Sequence, residues 1–160
     1  MALIAASTTE RDLLAGVLWT VGYTTGIMTA LIGTTKFGIR IGSKDVIYQA
    51  RTYGGTVTDV EVQLYQDPWT GGTSVSAANR NLKIALPGPV TYASGVTGTL
   101  TTFRTGLKLY STGVGNGSLG GVPEGEWYLL AANTDYILNI VNVGAVDGLL
   151  NFRWTYRAVD

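Results

Sequence analysis

The run Leu150-Asn151-Phe152-Arg153-Trp154-Thr155-Tyr156-Arg157 alternates apolar and polar side chains without a break. Successive strand residues point to opposite faces, so Leu150, Phe152, Trp154 and Tyr156 share a buried face. The same period of two recurs upstream. Phe37, Ile39 and Ile41 alternate with Lys36, Gly38 and Arg40, and Val60, Val62 and Leu64 with Glu61, Gln63 and Tyr65. Leu82, Ile84 and Leu86 alternate with Lys83 and Ala85, and Leu107 and Leu109 flank Lys108. The segment from Asp135 to Val143 is apolar on both sides at several positions, which predicts a central strand.

Turn chemistry separates these runs at Gly54-Gly55, Gly71-Gly72, Pro87-Gly88-Pro89 and Asp147-Gly148. Short strands joined by Gly-rich turns, with no sustained helical period, predict a single all-β domain of sandwich or jelly-roll type over residues 34–160. The stretch from Ser111 to Gly125 carries no pattern and reads as a mobile or partner-ordered loop. Trp127 and Trp154 fall within predicted strands and read as core.

Residues 1–33 read as an apolar N-terminal arm packed on the domain or on a neighbouring subunit. Ser7 and Glu10 have capping-box spacing for a short helix over about residues 8–15. Val17 to Val21 and Ile27 to Ile32 then read as two apolar strands around a turn. Residues 13–33 carry no charge, a length that would suit a membrane span. The Gly22-Tyr23-Thr24-Thr25-Gly26 interruption and the mixed Glu10-Arg11-Asp12 flank argue against insertion, and no basic segment marks a signal peptide.

Composition excludes much chemistry. The chain has no His and no Cys, which removes imidazole bases, thiolates, disulfides and the usual zinc and iron–sulfur ligand sets. Eleven basic and eleven acidic residues cancel, against the basic stripe expected of a nucleic-acid binder. Charged residues make up 14% of the chain while apolar ones make up 46%, so the polar coating is thin. Such a surface suits a protein covered by neighbours in its working state.

Individual motifs reduce to ordinary structure. Gly115-Asn116-Gly117-Ser118-Leu119-Gly120 has dinucleotide-loop spacing, but Val122-Pro123 and a predicted strand follow it instead of a helix. Asp59 with Glu61, and Glu124 with Glu126, are the closest carboxylate pairs, and Glu61 alternates with Val60 and Val62 as on a solvated face. Asp67, Asp135 and Asp147 read as turn acids rather than cation ligands. No enzyme activity, metal or cofactor is expected. Trp69, in Asp67-Pro68-Trp69-Thr70-Gly71-Gly72, is either an interface anchor or a ring folded back on its own sheet.

The segment Leu64-Tyr65-Gln66-Asp67-Pro68-Trp69-Thr70-Gly71-Gly72-Thr73-Ser74-Val75, followed by Asn79-Arg80-Asn81, resembles small tailed-phage virion structural proteins of the head-decoration or cement type. Gly106-Leu107-Lys108-Leu109-Tyr110, Ala132-Asn133-Thr134-Asp135-Tyr136-Ile137-Leu138 and the aromatic strand Asn151–Tyr156 carry the same resemblance. Gln66 departs from the pattern, which has an acid there. The resemblance implies a non-enzymatic homo-oligomer, a trimer by preference, that binds the major capsid protein on the outer head of the virion and stabilises the lattice. Neither nucleic acid nor membrane is an implied partner. A tail, fibre or head–tail connector component is the alternative, and a glycan-binding sandwich module another. Leu13, Leu14, Val17, Leu18 and Trp19 of the arm are the expected subunit or capsid contacts, with Trp69 and Arg80 as second choices. Removing residues 1–19 is then expected to abolish capsid occupancy and to leave the sandwich folded.

Overall fold

The computed structural model of the chain describes residues 11–13, 15–83, 87–110 and 128–159. Eleven strands run in the order β1 (Trp19–Thr24), β2 (Thr34–Ile41), β3 (Val46–Gly55), β4 (Asp59–Tyr65), β5 (Thr73–Val75), β6 (Ala78–Asn79), β7 (Val90–Ser94), β8 (Phe103–Tyr110), β9 (Tyr128–Leu130), β10 (Asp135–Asn142) and β11 (Leu150–Ala158). They form a five-stranded sheet, β6-β1-β11-β3-β9, and a six-stranded sheet, β5-β7-β2-β10-β4-β8. Every pairing is antiparallel. The protein is an all-β sandwich.

The alternation that predicts β11 is the one that builds the core. Leu150, Phe152, Trp154 and Tyr156 are all buried, and they meet Phe37, Ile39, Leu64 and Leu138 of the opposite sheet in one cluster. Phe37 packs edge-on against Phe152 with ring centroids 5.2 Å apart, an arrangement the ring quadrupoles favour. The Tyr48 and Tyr92 hydroxyls, one from each sheet, share a hydrogen bond of 2.6 Å inside this core. Burial pushes both phenols well above their ordinary range and raises Tyr156 to about 12. All three stay neutral. As predicted, β10 is central: it lies between β2 and β4 and is buried on both faces.

Three expectations change. β1 lies inside the five-stranded sheet, between β6 and β11, so residues 19–24 belong to the sandwich rather than to a separable arm. Ile27 to Ile32 do not form a strand; only Met28 makes a bridge, to Gly148, and the rest is loop and turn. The predicted strand beginning at Leu82 opens instead as a turn over residues 81–83, with Leu82 91% exposed. Nearby, Asn79 Oδ1 accepts from the Asn81 amide at 2.9 Å and Asn81 Oδ1 from the Lys83 amide at 3.1 Å. Two successive Asx turns thus outcompete the ladder at this point. Ile84 and Leu86, Trp127, the 111–125 loop and the capping residues Ser7 and Glu10 lie outside the described residues. Residues 11–13 are helical.

Candidate functional site

The residues expected to make contacts gather where β1 begins. Leu18 and Trp19 are buried in the protein's own core, Val17 packs against it, and Leu13 is half-buried. Leu14 lies outside the described residues. The Asn79 side-chain amide donates to the Gly16 carbonyl at 2.7 Å, and the Arg80 backbone amide donates to the Leu18 carbonyl at 2.9 Å. Leu18 and Trp19 have therefore spent their apolar surface internally. Arg80 keeps an exposed side chain.

Trp69 is folded back. Its ring is 6% exposed and packs with Ala93, Val96 and Ile137 on the outer face of the six-stranded sheet. The indole Nε1 donates to the Ile39 carbonyl at 3.3 Å, and the Arg40 guanidinium lies 4.3 Å from the ring centroid. Arg40 is itself held by both carboxylate oxygens of Asp135, each at 2.8 Å, and donates to the Trp69 carbonyl at 3.1 Å. Gly38 makes room for the ring: a Cβ there would sit 2.6 Å from two indole carbons. Gly72 turns the loop at φ +87°, where a Cβ would strike the Ser94 carbonyl at 2.7 Å.

Beneath this loop, Asp67 accepts from the Thr101 hydroxyl at 2.6 Å, the Thr101 amide at 2.8 Å and the Thr102 amide at 2.9 Å. Those bonds, the Thr101 hydroxyl foremost, hold the carboxyl down at about 2. Asp67 is an anionic clamp for the 97–102 segment. Of the other candidate carboxylates, Glu61 stands opposite Lys108 in the β4–β8 register, and Asp59 is tied through its backbone carbonyl, which accepts from the Val143 and Gly144 amides. No three potential metal-ligating carboxylates gather among the described residues, and no helix there is long and apolar enough to cross a membrane.

The opposite end of the sandwich is built differently. It consists of the β1–β2 loop, residues 25–33, and the β10–β11 loop, residues 143–149. Met28 and Gly148 exchange backbone hydrogen bonds of 2.7 and 3.1 Å, and Leu31 N–H donates to the Gly144 carbonyl at 3.0 Å. Asp147 accepts from the Ala30 amide at 2.7 Å. Asn142, fully buried, donates to the Met28 and Val146 carbonyls and accepts from the Gly144 amide. The two loops are thereby one rigid unit.

That unit leaves its apolar side chains bare. Ile27 is 77% and Ile32 75% exposed, and Leu31, Val143 and Val146 are exposed beside them. Leu31 is held at φ +65°, a left-handed conformation that costs an L-residue with a bulky side chain about 1–3 kcal/mol. Sequence reasoning missed the form of this end because it read Ile27 to Ile32 as an apolar strand of an arm packed on the domain or on a neighbour. The signal was present in Gly26 and Gly33, which bracket the run, and in the facing Asp147-Gly148 turn. Chemically the end offers apolar surface and one carboxylate, Asp147, already engaged by the Ala30 amide.

No protein-family model and no curated protein sequence matches the chain. Among solved structures, the chain is similar to PirA at 13% identity and a TM-score of 0.30, covering 84% of this chain and 92% of that one. It is similar to the Yersinia pseudotuberculosis-derived mitogen at 13% identity and a TM-score of 0.31, covering 88% and 86%. Against hydroquinone 1,2-dioxygenase from Sphingomonas sp. TTNP3, identity is 11% and the TM-score 0.28, covering 89% of this chain and 59% of that one. With TM-scores near 0.3 these likenesses imply no shared site.

Proposed function

We propose that the protein is a non-enzymatic virion structural protein of the head-decoration type, which binds the outer capsid lattice and works by contact alone. The observation that carries this reading is the rigid apolar end formed by Ile27, Leu31, Ile32, Val143 and Val146. A solvated monomer gains nothing from a strained loop that holds large aliphatic groups in water. A subunit of an assembly does, because burying those groups on a neighbour contributes free energy in proportion to apolar area. Decoration subunits tie adjacent capsomers together, and many modest contacts on one lattice become avid.

The thin charge coat supports the same reading, since a surface that is covered by protein needs little polar coating. The burial of Trp69 counts against a glycan-binding module, whose sugar would need a free ring face. Quantitative peptide counting on purified phage particles encoding this chain tests the proposal. Hundreds of copies, removed with the head fraction, are expected. Tens of copies in the tail fraction, or none, would replace it with the tail or connector reading or with no virion role.

A further inference from the structure

We infer that the cleft between β8 and β9 binds a carboxylate carried on a small apolar body. The site goes beyond the contact role proposed above and lies elsewhere in the fold. Tyr136, which lines the cleft, stands near the start of β10, whereas the apolar end begins past the last residue of that strand.

Shape is the first argument. β8 is the outer strand of the six-stranded sheet and β9 that of the five-stranded one, and a cavity of about 320 Å³ opens between them. Small-molecule sites begin at roughly 300 Å³. Leu64, Leu130 and Tyr136, each 5% exposed or less, line the cavity and belong to the core, so its inner wall is apolar. At a water's share of ~30 Å³, there is room for roughly ten non-hydrogen atoms.

Hydrogen bonding is the second. Arg104 donates to Gln66 Oε1 from Nε at 2.7 Å and also from Nη2. A guanidinium carries five N–H groups in a planar fork, so the remainder stay available to water or a ligand. The Gln66 acceptor is occupied, while its side-chain amide keeps its own donors. The Tyr136 hydroxyl oxygen accepts from the Ala131 amide at 3.0 Å, and its proton meets no acceptor among the described residues. The side chains around the cleft therefore offer a surplus of donors.

Charge is the third. Arg104 is the one charged side chain of the lining, and no carboxylate pairs with it among the described residues. A guanidinium grips a carboxylate through two parallel N–H···O bonds, and a single positive charge balances a single negative one. Phosphate, with close to two charges at pH 7, would be half balanced and would meet an apolar wall behind it. An aryl or short alkyl carboxylate fits both halves of the cleft, whether as a free acid or as the last residue of a peptide.

The test is amide and Arg side-chain NMR of the isotope-labelled full chain, titrated with sodium phenylacetate, phenylacetamide or inorganic phosphate. An N-acetylated dipeptide ending in a Phe carboxylate is run beside its C-terminal amide. Phenylacetate is expected to give saturable shifts at Arg104 Nε–H and at the Leu129 and Leu130 amides, with a Kd of roughly 1 mM or tighter. Phenylacetamide, the peptide amide and phosphate should bind at least tenfold more weakly. Tighter binding of the peptide acid than of phenylacetate identifies a chain terminus as the source, and the opposite order identifies a free acid. Arg104→Gln should weaken phenylacetate binding tenfold or more. Leu129→Glu, at a 63% exposed position of the lining, should do the same by adding a carboxylate there. Arg80→Gln, exposed elsewhere, should bind as wild type, and near-ultraviolet circular dichroism should be unchanged in all three.

Absence of saturable shifts with either carboxylate would overturn the inference. So would phosphate or the amides binding as tightly as the acids, or full binding by folded Arg104→Gln or Leu129→Glu.

Discussion

Asp67 and Gly38 show how single residues set the loop that follows β4. Three donors hold the Asp67 carboxyl at about 2 in the folded protein, below the 3.9 or so of an unfolded chain. The lowered folded value means that the carboxylate contributes stability above the unfolded value, and that this is lost as pH falls through about 2. Urea unfolding followed between pH 5 and 2 should therefore show stability declining in that window. In Asp67→Asn that part of the decline should be missing, with stability already lower at pH 7. Gly38→Ala acts on the same loop from below, because its Cβ would overlap the Trp69 ring. Overpacking of this kind typically costs about 1–3 kcal/mol, and a shift in tryptophan fluorescence should accompany it as the indole moves off Ile39. Gln66 acts on the same loop: Arg104 donates to Gln66 Oε1 from both Nε and Nη2, so a neutral acceptor holds the guanidinium there.

At the scale of elements, β1 decides what an N-terminal truncation does. Removal of residues 1–19 takes away Leu18 and Trp19, which lie in the core, and the Leu18 and Gly16 carbonyls that tether Arg80 and Asn79. Burial of side chains this large contributes roughly 1.5–3 kcal/mol each, a large fraction of the 5–15 kcal/mol typical of a domain. The truncated chain should accordingly lose its near-ultraviolet dichroism and its cooperative urea transition, rather than remain a folded sandwich. The two loops at the far end form a second cooperative element. Their cohesion comes from backbone groups, the Asn142 amide, the Asp147 carboxylate and the buried Met28, while the exposed aliphatic side chains are left out of it.

For the whole molecule, what was legible in the sequence follows one physical rule. Strands with one face in the core write a period of two, so β2, β4 and β11 could be read directly, and β10 was marked as central by being apolar on both sides. An isolated apolar run carries no such mark. Ile27 to Ile32 looks the same whether it is buried or held out in solvent, and the difference lies in hydrogen bonds to residues more than a hundred positions away. The choice between the two readings of Trp69, interface anchor or ring folded back, was equally hidden, because Gly38 and Arg40 precede it by about thirty residues. The strand order has a consequence for folding. No two successive strands of the eleven pair with one another, and β11 sits between β1 and β3. Among the described residues no hairpin joins neighbouring strands of the chain, and β1 and β3 meet only through β11. The five-stranded sheet can close only once β11 is available, so its formation rests on pairings between strands far apart in the chain, the kind that form slowly.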